Sequence, residues 1–167
     1  GLHSPVFFVI NLRNRADRRT AFARRWAEAG FHFQPWPWSA AEVKAGAELW
    51  ADKPNKKIHG ANFENAGTYG CYLSHLRLLR HCAAKFPGSD VVVMEDDAVF
   101  AHNFIARVSA FASVVPAEAE LLYLGGTLWR APLVNGTAIA QGPFLKVDMM
   151  GGTHAYIVRA KAVGKIV

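Results

Sequence analysis

Val91-Val92-Val93-Met94-Glu95-Asp96-Asp97 is the stretch that decides how this chain folds. Four apolar residues, three of them β-branched, predict a short buried strand. Three carboxylates follow without a break. Unpaired buried charge is expensive, so the acids belong where the strand leaves the core. In an open α/β sheet that place is the carboxyl end of a strand, where ligands bind. Clustered hard oxygen donors suit Mg²⁺ or Mn²⁺, and such an ion would hold a phosphate-bearing ligand. The plainer alternative is a solvated acidic loop without a duty. Three acids directly behind a core strand favour a site.

Working outward, Val6-Phe7-Phe8-Val9-Ile10 is a second continuous apolar run, as expected of a central strand buried on both faces. The spacing of Ala16, Phe22, Ala23, Trp26 and Ala27 predicts a helix over 16–29, with Asp17 in its first turn and Gly30 as its stop. Residues 31–38 alternate in part and suggest a second strand, pushed to an edge by Pro35 and Pro37. Strand, helix, strand is the opening of an α/β domain. The signal then weakens. A helix over 40–50 is expected, then a charged loop over 52–57 of the kind that serves as a lid or an acceptor-binding segment.

The clearest helix spans 65–86. Cys71, Ser74, His75, Leu78, Leu79 and Cys82 fall on one stripe, and Pro87-Gly88 closes it. Gly67 and Gly70 near its beginning suggest close approach to another backbone or a ligand. By itself, His75 reads as a core histidine with a satisfied hydrogen bond. Beyond the acids, a helix is expected over 103–114 and a strand over 120–124, ended by Gly125-Gly126. Residues 129–142 are turn-rich, and 144–147 form a short strand. Gly151-Gly152 breaks the chain, 153–158 is a strand, and a helix starts at 160.

The 167 residues bound a single domain, 1–167, with room for a core. Hydrophobic residues at 51% against 19% charged exclude disorder. No apolar run approaches the roughly 20 residues of a membrane span, and residues 1–5 hold no signal-peptide core. Cys71 and Cys82 on one helix would lie roughly 16 Å apart, too far for a disulfide. Reduced cysteines make a cytoplasmic location the default. The net charge of +6 is concentrated in Arg13, Arg15, Arg18, Arg19, Arg24 and Arg25. Such a patch suits nucleic acid, anionic lipid or a phosphorylated small molecule, but no nucleic-acid motif accompanies it. Arg19, Arg24 and Arg25 read as a solvated helix face.

Several segments, in order, resemble glycosyltransferase family 25, which includes bacterial lipooligosaccharide galactosyltransferases and collagen galactosyltransferases. They are Val9-Ile10-Asn11-Leu12-Arg13 with Asp17-Arg18-Arg19, Gly70-Cys71-Tyr72-Leu73-Ser74-His75, Met94-Glu95-Asp96-Asp97, Leu122-Tyr123-Leu124-Gly125, and Thr153-His154-Ala155-Tyr156-Ile157-Val158. The resemblance implies a GT-A-like fold, an open mixed sheet flanked by helices. The fold is expected to be C-terminally short, because the family's further acidic segment lies beyond Val167. It implies a UDP-sugar donor, usually UDP-galactose, with Mn²⁺ or Mg²⁺ as cofactor. Carried over, Glu95, Asp96 and Asp97 become the metal and diphosphate site. Asn11, Arg13 and Arg18 fall near the nucleotide, and Ser74 and His75 rise from core residues to nucleotide-sugar-binding residues.

The expected reaction is transfer of a hexose, galactose first, to a glycan or lipooligosaccharide acceptor in lipopolysaccharide or cell-surface polysaccharide synthesis. Transfer needs a base for the acceptor hydroxyl, and Asp148 and His154 are the candidates. Asp148 reads equally as a turn residue before Gly151-Gly152. Peripheral association with the inner face of the membrane stays open. Two other readings stand beside this one. One is a truncated, non-catalytic nucleotide-sugar or glycan-binding module; the other is a metal-dependent phosphohydrolase.

Overall fold

The computed structural model describes residues 2–42, 66–130, 133–134, 137–138, 140–141, 144–147 and 149–166. A five-stranded mixed sheet forms its middle, in the order β2-β1-β3-β9-β4. The strands are β1 (Val6–Asn11), β2 (Trp36–Ser39), β3 (Val91–Glu95), β4 (Leu121–Arg130) and β9 (Met149–Val158). β1 runs parallel to β2 and β3, and β9 runs antiparallel to β3 and β4. The helices are α1 (Ala16–Glu28), α2 (Ala66–Lys85), α3 (Phe104–Ala112) and α4 (Ala160–Ile166). This is the expected open α/β sheet flanked by helices. Two small hairpins, β5 (Leu133–Val134) with β6 (Thr137–Ala138) and β7 (Ala140–Gln141) with β8 (Phe144–Leu145), fill the turn-rich stretch.

The continuous apolar strands bury both faces, and their period of two divides the core. Phe8, Ile10, Val91, Val93, Tyr156 and Val158 meet Leu78, Leu79 and Cys82 of α2 and Ala162 and Val163 of α4. Val9, Val92, Met94, Ala155 and Ile157 meet Phe22 and Trp26 of α1. The predicted stop of α1 is a Schellman motif. Gly30, at φ +90°, donates to Ala27 O, and Phe31 N donates to Trp26 O. The accompanying apolar contact is a Phe31–Trp26 stack with centroids 3.7 Å apart. That stack also explains why the second strand is only four residues long. Phe31 and Phe33 are taken up around the Trp26 indole, and Trp26 Nε1 donates to Phe33 O at 2.5 Å.

Two glycine pairs expected to break strands lie inside them instead. β4 runs through Gly125-Gly126 with shifts of register, and β9 runs through Gly151-Gly152. Gly126 and Gly152, both at positive φ, fall in the register shift between the Gly125–Ala155 and Thr127–Gly151 pairs, and such an irregularity bends a strand without ending it. The helix expected over 40–50 falls mostly, and the charged loop over 52–57 wholly, outside the described residues.

Asp90, almost fully buried, ties the start of β3 to the segment before β1 and to the start of α4. Its carboxylate accepts from His3 N at 2.7 Å and Ala160 N at 2.7 Å, the latter at the first turn of α4. It also pairs with Arg159 Nε at 3.2 Å. Both cysteines are free, as expected.

Candidate active site

The chain leaves β1 on one side through α1 to β2, then returns through α2 to β3 on the other. The carboxyl ends of β1 and β3 therefore lie at the switch point of the sheet, where an open α/β fold has its crevice. Ile10 pairs with Glu95 there, and Asp96 N donates to Ile10 O at 3.1 Å. β9 runs against β3, with Met94 opposite Ala155. Thr153 and His154 are thereby carried to the acidic end.

The three acids do not stay together. Glu95 continues the alternation of Val91 and Val93 and so faces α2. Asp96 turns to the other side and is 7% exposed. Its carboxylate accepts from Asn11 Nδ2 at 2.5 Å and from Arg18 Nη1 at 3.2 Å. Asp97 remains half exposed, with His154 Nδ1 at 3.6 Å from its Oδ1. Glu95, Asp97 and His154 each place a donor atom within 4.8 Å of the others. Of the expected metal set Glu95, Asp96 and Asp97, the structure thus brings the outer two together and adds His154. Asp96 is spent on Asn11 and Arg18.

Two carboxylates and an imidazole at a solvent-open strand end are a fit for Mn²⁺, which accepts oxygen donors readily and tolerates a histidine. His154, expected as a base, is thereby placed among candidate ligands. Asp148 lies outside the described residues.

His75 lies on the α2 side of Glu95. Its Nδ1 is 2.8 Å from the Tyr156 hydroxyl, and its Nε2 is 3.6 Å from Glu95 Oε1. Burial disfavours charge on this ring, but the facing Cys71 and Glu95 outweigh burial and raise the imidazole to about 9. His75 in turn holds the Glu95 carboxyl below its usual range against burial, helped by a hydrogen bond from the Thr153 hydroxyl. Burial pushes the Tyr156 phenol well above its ordinary value.

The remaining expected residues are placed as follows. Ser74 is buried, donates to Gly70 O at 2.6 Å and accepts from Ala41 N at 2.8 Å. Its hydroxyl locks α2 to the chain leaving β2. Arg13 Nε donates to Ser39 Oγ at 3.2 Å, at the carboxyl end of β2. Arg15 and Asp17 form a two-pronged pair that pulls the Asp17 carboxyl down to about 2. Arg24 is solvated, as expected, at 73% exposure and 3.9 Å from Glu28.

Arg25 is not solvated surface, which corrects the sequence reading. Its Nη2 donates to Asp96 O at 2.7 Å and its Nε to Ala98 O at 3.0 Å. With Ala98 N bonded to Glu95 O, this arginine pins the turn that carries the acids. Arg25 lies seven residues beyond Arg18, two helical turns along one face, and that spacing was the available signal. Thr153 and Tyr156 were also missed as site residues. Both lie on β9 and meet His75 and Glu95 only because β9 pairs with β3 over a long sequence separation.

A family description, glycosyltransferase family 25 (LPS biosynthesis protein), matches residues 4–167. The chain belongs to that family. A protein of Acanthamoeba polyphaga mimivirus named as a "putative glycosyltransferase" is 27% identical over 123 residues. That match covers 72% of this chain and 37% of the relative's length. Among the described residues, no helix is long and apolar enough to cross a membrane.

Proposed function

We propose that this chain transfers a hexose from a nucleotide-sugar to a glycan hydroxyl, with UDP-galactose as donor and a lipopolysaccharide or other cell-surface glycan as acceptor. The observation that carries this reading is the Glu95, Asp97 and His154 set at the switch point of a family 25 sheet. Mn²⁺ held there would neutralise charge on the departing diphosphate as the glycosidic bond breaks.

The protein residues have separable duties. Arg13, at the end of β2, and Arg18, beside Asp96, offer forked donors to phosphate oxygens. Asn11 and Arg25 hold the acidic turn from its two sides. His75 and Thr153 fix the orientation of Glu95. With His154 among the cation donors, Asp148 is the first base to test for the acceptor hydroxyl, a step typically worth about 10²–10⁴ in rate.

The test offers UDP-galactose and Mn²⁺ with a panel of terminal-hexose acceptors, following UDP release and glycan mass separately. Mn²⁺-dependent glycan extension is the expected result. Mn²⁺-dependent UDP binding with no extension on any acceptor would identify a donor-binding module instead. Loss of neither binding nor transfer in a chelator would remove the cation from the reading.

A further inference from the structure

A second constellation lies on the α2 side of Glu95. Cys71 and His75 are four residues apart on α2, so both side chains project from one face of the helix. Cys71 Sγ, a His75 ring nitrogen and a Glu95 oxygen lie within 4.8 Å of one another. His75 Nε2 is buried and makes no hydrogen bond, its contact with Glu95 Oε1 being 3.6 Å long. The other ring nitrogen is held by Tyr156. An imidazole held through Nδ1, with a buried Nε2 that makes no hydrogen bond and lies 3.6 Å from a carboxylate, has the arrangement of a metal-ligating histidine and its supporting hydrogen bond.

The donor types choose the ion. Thiolate and imidazole select Zn²⁺ over Mg²⁺ or Mn²⁺. Around tetrahedral Zn²⁺ with ordinary bond lengths, nitrogen and oxygen donors are about 3.3 Å apart and sulfur about 3.6 Å from either. The His75–Glu95 separation of 3.6 Å is already close to that spacing. Cys71 is exposed at the mouth of the cluster, which gives an ion a way in. Its Sγ is also 3.9 Å from the Thr153 hydroxyl that bonds Glu95, so the thiol and the carboxylate already share a neighbour.

We propose that Cys71 Sγ, His75 Nε2 and Glu95 form a Zn²⁺ site with its fourth position open to solvent. The site is distinct from the Glu95, Asp97 and His154 set and shares only Glu95 with it. On binding, the Cys71 thiol and the charged His75 ring each give one proton to solvent, so that the sulfur ligates as thiolate and Nε2 as part of the neutral ring. Tyr156 acts as a positioning residue for that ring. The proposal does not depend on the transfer reading, because its readout, a thiolate band, needs no sugar donor.

The test uses the full chain, stripped of metal, with Co²⁺ and Zn²⁺ as probes. Co²⁺ is expected to give a thiolate-to-metal charge-transfer band that Zn²⁺ displaces. Cys71→Ser should abolish the band and weaken Zn²⁺ binding by more than about tenfold, and Tyr156→Phe should keep the band while weakening Zn²⁺ about 10–100-fold. Cys82→Ala should keep the band, because Cys82 is buried away from the cluster. Asp97→Asn should keep the band, because Asp97 gives no ligand to this site. Circular dichroism of Cys71→Ser checks its fold, which an exposed position should preserve. A wild-type chain with no thiolate band would overturn the proposal. So would a band that survives Cys71→Ser, that is lost in Asp97→Asn, or that Zn²⁺ does not displace.

Discussion

Replacing Arg25 by Ala removes two charge-assisted hydrogen bonds, 2.7 Å to Asp96 O and 3.0 Å to Ala98 O. Bonds to a charged group are worth about 1.5–3 kcal/mol each when buried. The guanidinium is only part-buried and water can replace it at both carbonyls, so each bond falls into the ordinary net range, about 0.75–1.5 kcal/mol, and the sum is about 1.5–3 kcal/mol. For a domain of this size that is a fall of about 3–10 °C in Tm. Arg24→Ala is the matched control. Arg24 is 73% exposed with one 3.9 Å contact to Glu28, so its loss should stay within about 0.5 kcal/mol. Urea unfolding followed by circular dichroism gives both values, with the slope held constant between variants. Arg25→Lys should recover part of the loss, since a lysine reaches one carbonyl at a time. Equal stability of Arg25→Ala and Arg24→Ala would refute the pinned turn.

Asp97→Asn should weaken Mn²⁺-dependent UDP binding, because a neutral amide is a poor ligand for a hard cation; calorimetry with Mn²⁺ and with a chelator checks it, and equal affinity in all four combinations would remove Asp97 from the set. Arg13→Ala should cost UDP binding on the order of 1.5–3 kcal/mol while Arg24→Ala costs little, and equal losses would misplace the phosphate contacts. Asp90→Ala removes the acceptor shared by His3 N, Ala160 N and Arg159, so a loss of about 1.5–3 kcal/mol is expected in denaturant unfolding. Gly152→Ala puts a Cβ 2.9 Å from His154 Nε2 at a residue with φ +81°. The backbone strain should cost about 1–2 kcal/mol, and the displaced ring should lower Mn²⁺ affinity; a variant with unchanged Mn²⁺ affinity would place His154 outside the cation set.

The legible parts of the chain are those whose signal is local. β1 and β3 are unbroken apolar runs, and α1 and α2 carry helical stripes, so each appears near its expected bounds. The acids were visible as candidates because charge beside a buried strand is costly. Their division was not visible. Asp96 is drawn aside by Arg18, 78 residues away, and by Asn11, 85 residues away. Glu95 meets Thr153 across 58 residues. No spacing rule reports such pairings, because sheet order alone creates them. The shortened β2 has a comparable cause: Phe31 and Phe33 satisfy strand propensity on paper, yet packing around Trp26 removes them from the ladder. The glycine pairs misled because a glycine in a strand reads alike as a break or as a bulge.

The place of β9 between β3 and β4 has a consequence for the chain as it is synthesised. Until residues 149–158 emerge, β3 has β1 on one side and an open backbone edge on the other. Val91 to Met94 is a row of buried apolar side chains in the finished sheet, so in the nascent chain that edge is both sticky and unpaired. β4 cannot cover it, because β4 reaches the sheet through β9. Long-range pairing of this kind is slow to form, which prolongs the exposure. Glu95-Asp96-Asp97 stand directly at the end of that edge. Negative charge flanking an apolar strand discourages one chain from pairing with another, so the same acids act as aggregation gatekeepers before any ligand can bind.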